Sequence, residues 1–429
     1  MRIVRLTEET RKNIMTGLLK RSPSQYEEYE KIVKEIIENV RNNGDNAVFE
    51  YTRKFDKCNL DEGSIRVSED EINEAFEVFD RELIGVMERA AENIRAFHEK
   101  QKQNSWIDAG ENGTILGQKI TAIGIAGVYV PGGKAAYPSS TLMNIIPAVV
   151  AGVKRIIMTT PADANGKVYP GTLVAARIAG VNEIYKIGGA QAIAAMAYGT
   201  ELIPKVDKIV GPGNIFVTLA KKTVFGQVSI DSVAGPSEIL VIADKTANPT
   251  YVAADLLSQA EHDELASAIL ITTSKDLADK VDSEVKRFTQ LLERRDIIQK
   301  SLDNYGYILL ADNIEEACET ANEIASEHLE IITEDAFNVM TKIRNAGAIF
   351  IGEHSMEPLG DYFAGPNHVL PTNGTAKFFS PLGVDAFIKR TSIISYSREA
   401  LKPIADDIIA FANAEGLTAH ANSVRVRFS

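Results

Sequence analysis

The fold is decided by the stretch Ile123–Asp244, which opens with the apolar segment IGIAGVYV (123–130) and closes with EILVIAD (238–244). Three further short β-rich segments lie between these two, RIIMTT (155–160), EIYKIG (183–188) and KIV (208–210). They are separated by segments typical of helices, namely Thr141–Val153, Gly171–Ala179, Gln191–Tyr198 and Asn214–Phe225. Strands that alternate with helices in this way predict a parallel sheet with crossover helices.

A second α/β unit follows Asn248-Pro249. It begins with a predicted helix over Thr250–Glu264, and four apolar segments then alternate with helices: SAILITT (267–273), GYILLAD (306–312), HLEIIT (328–333) and AGAIFIG (346–352). The predicted fold class is therefore α/β, with two Rossmann-like parallel-sheet domains.

The segments outside these two units have other patterns. Residues Tyr26–Gln101 show apolar residues at helical spacing, with Gly44 ending one run and a capping box predicted from Ser68 and Glu71. The last part of the chain, from near Tyr362, is richer in Gly, Pro and Asn before a predicted helix at Ala405–Ala412. This composition predicts an active-site loop followed by a small tail.

Composition excludes several classes of protein. Among 429 residues, 46 Lys and Arg face 59 Asp and Glu, and a net charge of −13 is unfavourable for binding nucleic acid. The longest apolar stretch, Leu142–Val153, is too short to span a bilayer, and the N-terminus lacks the apolar run of a signal peptide. Only Cys58 and Cys318 occur, without metal-site spacing, so we expect a reducing compartment, by default the cytoplasm.

Three glycine-containing turns follow predicted strands: PGGK (131–134), GGAQ (188–191) and GPGN (211–214). None completes the G-x-G-x-x-G fingerprint, and no acidic residue is placed to hold a ribose. Each turn alone predicts only a tight strand-to-helix connection. Together, at one edge of a parallel sheet, they favour a dinucleotide site at helix N-termini.

Histidines indicate a second kind of site. In SQAEHDE (258–264), Gln259 and His262 are three residues apart on a predicted helix, so both side chains can reach one cation. Two ligands do not make a site, and a surface polar pair is the alternative. Asp361, His368 and His420 are candidates for the remaining ligands, and a set of amide, imidazole and carboxylate suits zinc with open positions.

Ser326-Glu327-His328 places a carboxylate beside an imidazole. Because adjacent side chains diverge on a helix or a strand, Glu327 and His328 suit two separate proton transfers better than one hydrogen-bonded dyad. The alternative is that Glu327 faces solvent or caps a helix while His328 is a half-buried structural ring. Cys318 lies among carboxylates, which disfavours a thiolate nucleophile.

The chain resembles the histidinol dehydrogenase family from about Gly124 to its C-terminus. The resemblance is carried, in the family's order, by GVYVPGGKAAYPSSTLMN (127–144), KIGGAQAIAAMAYGT (186–200), DKIVGPGN (207–214), SIDSVAGPSEILVIAD (229–244), SQAEHDE (258–264), SEHLEI (326–331), GDYFAGPNHVLPT (360–372) and EGLTAHANS (415–423). It implies an intertwined homodimer that oxidises L-histidinol through L-histidinal to L-histidine with two NAD and one zinc per subunit.

The resemblance also implies roles for individual residues. The zinc ligands would be Gln259, His262, Asp361 and His420 of the partner subunit. The NAD contacts would be Tyr129, Gln191 and Asn214. The substrate contacts would be Ser237, Gln259, His262, His328, Asp361, Glu415 and His420. Glu327 and His328 would be the acid–base residues, while His98 and His354 are expected to be structural and His368 has no assigned role.

The domain division expected on this basis has four parts. They are an N-terminal extension (1–25), an α/β domain with the metal and acid–base residues (26–123 plus 245–361), a Rossmann-like NAD-contacting domain (124–244) and a loop-and-tail domain that reaches the partner (362–429). Two other functions remain open at this point. One is a zinc hydrolase in which Glu327 activates water, and the other is a protein that only sequesters zinc or a small amine.

Overall fold

The computed structural model describes residues 1–19, 27–132 and 137–429. Its strands are β1 (Arg2–Arg5), β2 (Trp106–Ala109), β3 (Ile115–Ala122), β4 (Ile125–Tyr129), β5 (Arg155–Thr159), β6 (Glu183–Tyr185), β7 (Lys208–Val210), β8 (Ser229–Ile230), β9 (Glu238–Ala243), β10 (Ser267–Thr272), β11 (Gly306–Leu310), β12 (His328–Ile332), β13 (Ala348–Ile351) and β14 (Ile388–Ser395). They form three sheets.

The α-helices connect and cover these sheets. They are α1 (Glu8–Leu19), α2 (Glu27–Phe55), α3 (Glu69–Val78), α4 (Arg81–Glu99), α5 (Pro138–Ala151), α6 (Pro170–Ala179), α7 (Gly189–Tyr198), α8 (Ile215–Val224), α9 (Pro249–Ala260), α10 (Lys275–Thr289), α11 (Arg295–Tyr305), α12 (Ile314–Ile324), α13 (Ala336–Thr341), α14 (Glu357–Tyr362), α15 (Arg398–Leu401), α16 (Ala405–Ala414) and α17 (Thr418–Arg425). Gly44 adopts a left-handed φ of +53° and kinks α2 where the sequence predicted a stop.

The first sheet is parallel, with five strands in the order β6-β5-β4-β7-β8. Its strands are short, apolar and largely buried, as expected where helices cover both faces. The predicted capping box is present, since Ser68 accepts from the Glu71 N–H while the Glu71 carboxylate accepts from the Ser68 N–H. Parallel strands and crossover helices are thus confirmed for this unit.

Helices α2, α3 and α4 pack on the five-stranded unit, which differs from the expected grouping of residues 26–123 with 245–361. Their apolar faces, including Val33, Ile37 and Ile94, share one core with the helices of that unit. Helix α2 lies against α7 and α8, and α3 lies against α6. The Ala-rich sequence of α7 allows this close approach, and sequence order alone did not indicate it.

The second sheet is also parallel, with six strands in the order β1-β11-β10-β9-β12-β13. Strand β9, which we expected to belong to residues 124–244, lies instead inside this sheet, paired with β10 and β12. All six of its residues are buried, which matches a central strand covered on both faces. The N-terminal segment is likewise an edge strand of this sheet, because β1 pairs with β11.

The third sheet is antiparallel, with strands β14-β3-β2. After it, the short helix α15 contacts Glu111–Gly113, and α16 and α17 pack against each other. Exposed apolar side chains occur here, among them Ile394, Phe411 and Leu417. Within the described residues, no helix has the length and hydropathy needed to cross a bilayer.

Candidate active site

A cavity of about 370 Å³ brings together most of the predicted site residues. Its walls include Asn214, Ser237, Gln259, His262, Glu327, His328 and Asp361. Segments far apart in sequence therefore meet at one place. The five-stranded sheet contributes the turn after β7, whereas the six-stranded sheet contributes the amino ends of β9 and β12. The site therefore lies between the carboxyl end of a strand in one sheet and the amino ends of strands in the other.

His328 is the first residue of β12 and is almost fully buried. Its Nδ1 lies 3.1 Å from the main-chain oxygen of Glu238, and because a carbonyl only accepts, Nδ1 carries a proton. Its Nε2 has no hydrogen-bond partner among the described residues and lies 3.7 Å from Asp361 Oδ1. Burial lowers the pKa of His328, but Glu327 and Asp361 outweigh it and raise that pKa to about 10 in the chain alone.

Glu327 is held by the same residue as His328. Its Oε2 accepts the main-chain N–H of Glu238 at 3.0 Å and lies 3.8 Å from His328 Nδ1, beyond hydrogen-bond distance. The two side chains thus use opposite main-chain groups of Glu238 and do not bond each other, as expected for adjacent residues. Burial raises the pKa of Glu327 to about 8, partly offset by His328.

Gln259 on α9, His262 just after that helix and Asp361 on α14 lie around the same cavity. Both amide atoms of Gln259 are buried and have no protein partner within the described ranges, so this side chain is suited to binding a cation. His262 lies outside a regular helix, because α9 ends at Ala260 and not at the predicted Glu264. The main-chain N–H of His262 donates to the main-chain oxygen of Gln259 at 3.1 Å. Asp361 lies on α14, and despite burial its pKa is lowered by His328 and His368.

Glu357 is a site residue that the sequence analysis missed. It is buried one helical turn before Asp361, and ligand atoms of His328, Glu357 and Asp361 lie within 4.8 Å of one another, a possible metal cluster. Its Oε1 lies 3.8 Å from His262 Nε2, and its Oε2 accepts the Ser258 hydroxyl at 2.8 Å. The i, i+4 spacing of Glu357 and Asp361 was the available signal.

A pair of acidic residues, Asp255 and Glu330, connects α9, β12 and α14 next to the site. Glu330 on β12 accepts the main-chain N–H of Glu357 at 2.9 Å and faces Asp255 on α9. Burial raises the pKa of Asp255 to about 6, and burial with the Asp255 charge raises that of Glu330 well above its usual range. A proton shared between the two carboxyl groups would join β12, α9 and α14, the elements that carry His328, Gln259 and Asp361.

The residues expected to contact NAD follow the strands of the five-stranded sheet. Tyr129 ends β4, and its hydroxyl accepts the Gly189 N–H at 3.2 Å; burial raises its pKa to about 12. Gln191 is buried, and its amide has no partner within the described part of the chain. Asn214 caps α8 by accepting N–H groups of Phe216 and Val217. Of the three, only Asn214 lines the cavity, and residues 133–134 of the PGGK turn lie outside the described residues.

The turn that carries Asn214 is fixed by a buried ion pair. Asp231 accepts the Gly211 N–H at 2.8 Å, and Lys221, paired with Asp231, donates to the Gly211 oxygen at 2.9 Å. Gly211 has a left-handed φ of +118°, and a Cβ there would lie 2.0 Å from the main-chain oxygen of Tyr129, so only glycine fits. Lys221 and Asp231 were also missed by the sequence analysis, because nothing in their local pattern links them.

Four further residues lie as follows. Glu415 and His420 are exposed on the tail and do not line this cavity within one chain. His368, which had no assigned role, does line it, with Nδ1 3.0 Å from the Asp361 main-chain oxygen and Nε2 3.3 Å from Ser140 Oγ. His98 is buried and bonds to the Ile94 oxygen at 2.7 Å.

Comparisons with known proteins identify the family. The family model described as histidinol dehydrogenase matches residues 19–428. Histidinol dehydrogenase of Clostridium acetobutylicum is 56% identical over 412 residues, 96% of this chain and 95% of that protein. The Bacillus subtilis protein of the same name is 56% identical over 401 residues, 94% of this chain and 93% of that protein.

Structural comparison gives the same result. The crystal structure of histidinol dehydrogenase from Elizabethkingia anophelis superposes with a TM-score of 0.93 at 40% identity, over 100% of this chain and 98% of that chain. Sequence and fold agree along almost the whole length, so the chain belongs to the histidinol dehydrogenase family.

Proposed function

We propose that this chain catalyses the two-step, four-electron oxidation of L-histidinol through L-histidinal to L-histidine with two NAD, the final steps of histidine biosynthesis. The observation that carries the proposal is the single cavity in which Gln259 and Asp361 face His328 and Glu327 beside the Asn214 turn. Family membership and these residue types support the same reaction.

His328 is proposed as the base of the first oxidation. When a hydride leaves the alcohol carbon for the nicotinamide, the hydroxyl proton must leave as well, and the unpartnered Nε2 of His328 faces the cavity. The bond from Nδ1 to Glu238 fixes the ring orientation. Positive charge beside Asp361 would offset the surrounding carboxylates and favour the neutral ring that a base requires.

Glu327 is proposed to act in the second oxidation. The aldehyde takes up water to form a gem-diol, which then gives a second hydride to a second NAD, and the resulting acid loses its proton. A carboxylate can remove a proton from the attacking water. Glu327 lines the same cavity as His328 but does not bond it, so the two groups can serve separate proton transfers.

Zinc is proposed to be held by Gln259, His262 and Asp361, together with His420 of the partner subunit. The fit rests on the orphaned Gln259 amide and on a donor set of nitrogen and oxygen without thiolate. When bound, zinc would position the substrate through its imidazole and amine nitrogens. Ser237, which lines the cavity, and Glu415 of the partner subunit are proposed further substrate contacts.

A homodimer is proposed because the tail residues Glu415 and His420 do not line the cavity of their own chain. Glu415 and His420 are exposed and absent from the cavity walls, while Phe411 beside them is 72% exposed. A separate surface next to His328 and Asp361 combines Phe350 and Leu359 with Lys100 and Arg390. Helix α16 from another copy, which carries Asp406 and Asp407 beside the exposed Phe411, matches that surface. Both cysteines are free thiols, in keeping with the cytoplasm.

A coupled assay tests the proposal. Histidinol and NAD are added to the protein, and we expect NADH absorbance at two NADH per histidinol, lost with a chelator and restored by zinc. His328→Asn should lose turnover and keep both zinc and bound histidinol. Absence of NADH from metal-loaded protein would contradict the proposal and direct attention to hydrolysis.

A further inference from the structure

The cavity lined by Gln259, His328 and Asp361 is called the reaction cavity below. A second cavity lies beside it, at the carboxyl ends of β4 and β5. It has a volume of about 690 Å³, and its walls include Asp56, Gly132, Pro161, Asp163 and Tyr169. Pro131 lines both cavities, so the two are neighbours. An extended dinucleotide with its nicotinamide near His328 would place its adenosine end on the side of this second cavity.

Asp56 reaches this cavity from a distant part of the sequence. It follows the last residue of α2, and the packing of α2 against α7 and α8 carries it to the turn between β6 and α7. The N–H of Gly188 in that turn donates to the Asp56 carboxylate, and the next residue, Gly189, donates to the Tyr129 hydroxyl. Asp56 Oδ2 has no partner among residues 1–19, 27–132 and 137–429.

The other charged groups on this cavity are already engaged. Asp163 Oδ1 accepts the N–H groups of Asn165 and Lys167, both at 2.9 Å, and so stabilises the turn formed by residues 163–167. The Lys167 ammonium pairs with Glu74 Oε2 at 2.7 Å. Within the described residues, Asp56 is therefore the wall carboxylate with an oxygen, the buried Oδ2, that lacks a hydrogen-bond partner.

A carboxylate beside the glycine turn of a dinucleotide fold has a defined chemistry. It accepts hydrogen bonds from the ribose hydroxyl groups of NAD, and it repels the 2′-phosphate of NADP. The usual carboxylate comes from the same βαβ unit, and this chain has none at that spacing. The fold instead provides Asp56 from the helical N-terminal region.

We infer that Asp56 is the specificity-determining residue for the cofactor, facing the adenosine ribose and selecting NAD over NADP. The inference rests on the proposed function, because it assumes that a nicotinamide dinucleotide binds here. It adds a residue that neither the local sequence pattern nor the reaction cavity indicates.

The inference is tested by measuring the binding of NADH and of NADPH in the absence of histidinol, with the fluorescence of the nucleotide as the readout. We expect Asp56→Asn, which can still accept the Gly188 N–H, to reduce the preference for NADH over NADPH by about tenfold or more. Asp56→Ser should do the same, so the result does not depend on one variant folding. Asp207→Asn is the matched control, because Asp207 accepts the Gly124 and Ile125 N–H groups at the amino end of β4.

The outcomes separate this inference from the proposed function. Wild-type preference for NADH that is lost in both Asp56 variants and kept in Asp207→Asn supports the role of Asp56. Preference within twofold of wild type in folded Asp56 variants overturns it and leaves the proposed function intact. Wild-type protein that binds neither dinucleotide removes both.

Discussion

At the scale of single residues, the two proposed acid–base groups are positioned by main-chain atoms. Glu327 and His328 are fixed by the N–H and the carbonyl of Glu238, two groups whose positions are set by strand pairing between β9 and β12. A substitution that preserves an acceptor at position 327 should therefore keep the geometry while it changes the chemistry. This separates a structural role from a chemical one.

Glu327→Gln tests that separation. The amide oxygen can still accept the Glu238 N–H, but it cannot take a proton from water, so we expect the second oxidation to slow by about 10²-fold or more. The first oxidation should stay within a few fold of wild type. The measurement is NADH released per histidinol, expected to fall from two toward one as aldehyde accumulates and is trapped. Equal slowing of both steps would contradict a distinct role in water activation.

Asp56 predicts a pH dependence of stability. Burial raises the pKa of Asp56 from 3.8 to about 6, partly offset by the Gly188 N–H, so ionisation is less favourable in the folded chain than in the unfolded one. The destabilisation is absent below about pH 4, grows up to about pH 6 and is complete above it. Asp56→Asn should therefore raise the thermal midpoint at pH 8.

The gain should be modest and should shrink with acid. Because Asp56 is only half-buried, we expect on the order of 1 kcal/mol at pH 8 after solvent screening, and a smaller gain at pH 5. Thermal unfolding at both pH values, with Asp207→Asn beside it, provides the measurement. A gain that is as large at pH 5 as at pH 8 would show that the Asp56 charge is not its source.

At the scale of elements, the buried pair Lys221–Asp231 ties α8 and the segment after β8 to the turn that carries Asn214. Lys221→Met keeps much of the buried stem but removes the donor to the Gly211 oxygen and leaves Asp231 unpaired. We expect the KM for NAD to rise about tenfold or more, while the KM for histidinol changes little. Steady-state kinetics with each substrate varied gives the two constants.

A control separates positioning from general instability. Lys222 is the neighbouring residue on α8, but it is exposed and pairs with Glu30 on α2 at 3.0 Å. Lys222→Met should leave both KM values near wild type. If Lys221→Met lowers kcat and raises both KM values together, the ion pair supports the whole molecule and not specifically the turn that carries Asn214.

Elements also show what the sequence could predict. Strand and helix alternation predicted both parallel sheets, because buried strands and crossover helices leave a local apolar pattern. The sheet to which β9 belongs was predicted wrongly, since an apolar strand at a boundary pairs equally well with either neighbour until its register partners are known. The packing of α2–α4 and the arrival of Asp56 at the Gly188 turn depend on tertiary contacts that no local pattern encodes.

The site followed the same rule. Gln259, His262, Glu327, His328 and Asp361 were predicted from motifs and do meet in one cavity. Lys221 and Asp231 were not predicted, because no local pattern links them, whereas Glu357 was missed although its i, i+4 spacing from Asp361 was an available signal. The residues proposed to contact ligands lie in recognisable motifs, whereas the ion pair that holds the Asn214 turn has none.

At the scale of the whole molecule, the proposed homodimer places the tail of one subunit at the cavity of the other. Mixed dimers of His328→Asn and His420→Asn chains test this. If His420 serves the partner's site, a mixed dimer contains one site with both substitutions and one with neither, so random co-assembly should restore about a quarter of wild-type activity. If His420 serves its own chain, each site keeps one substitution and the mixture stays inactive. Co-expressed dimers that carry both tags are all mixed dimers, so their activity should be about half that of wild type, and each inactive homodimer is the control.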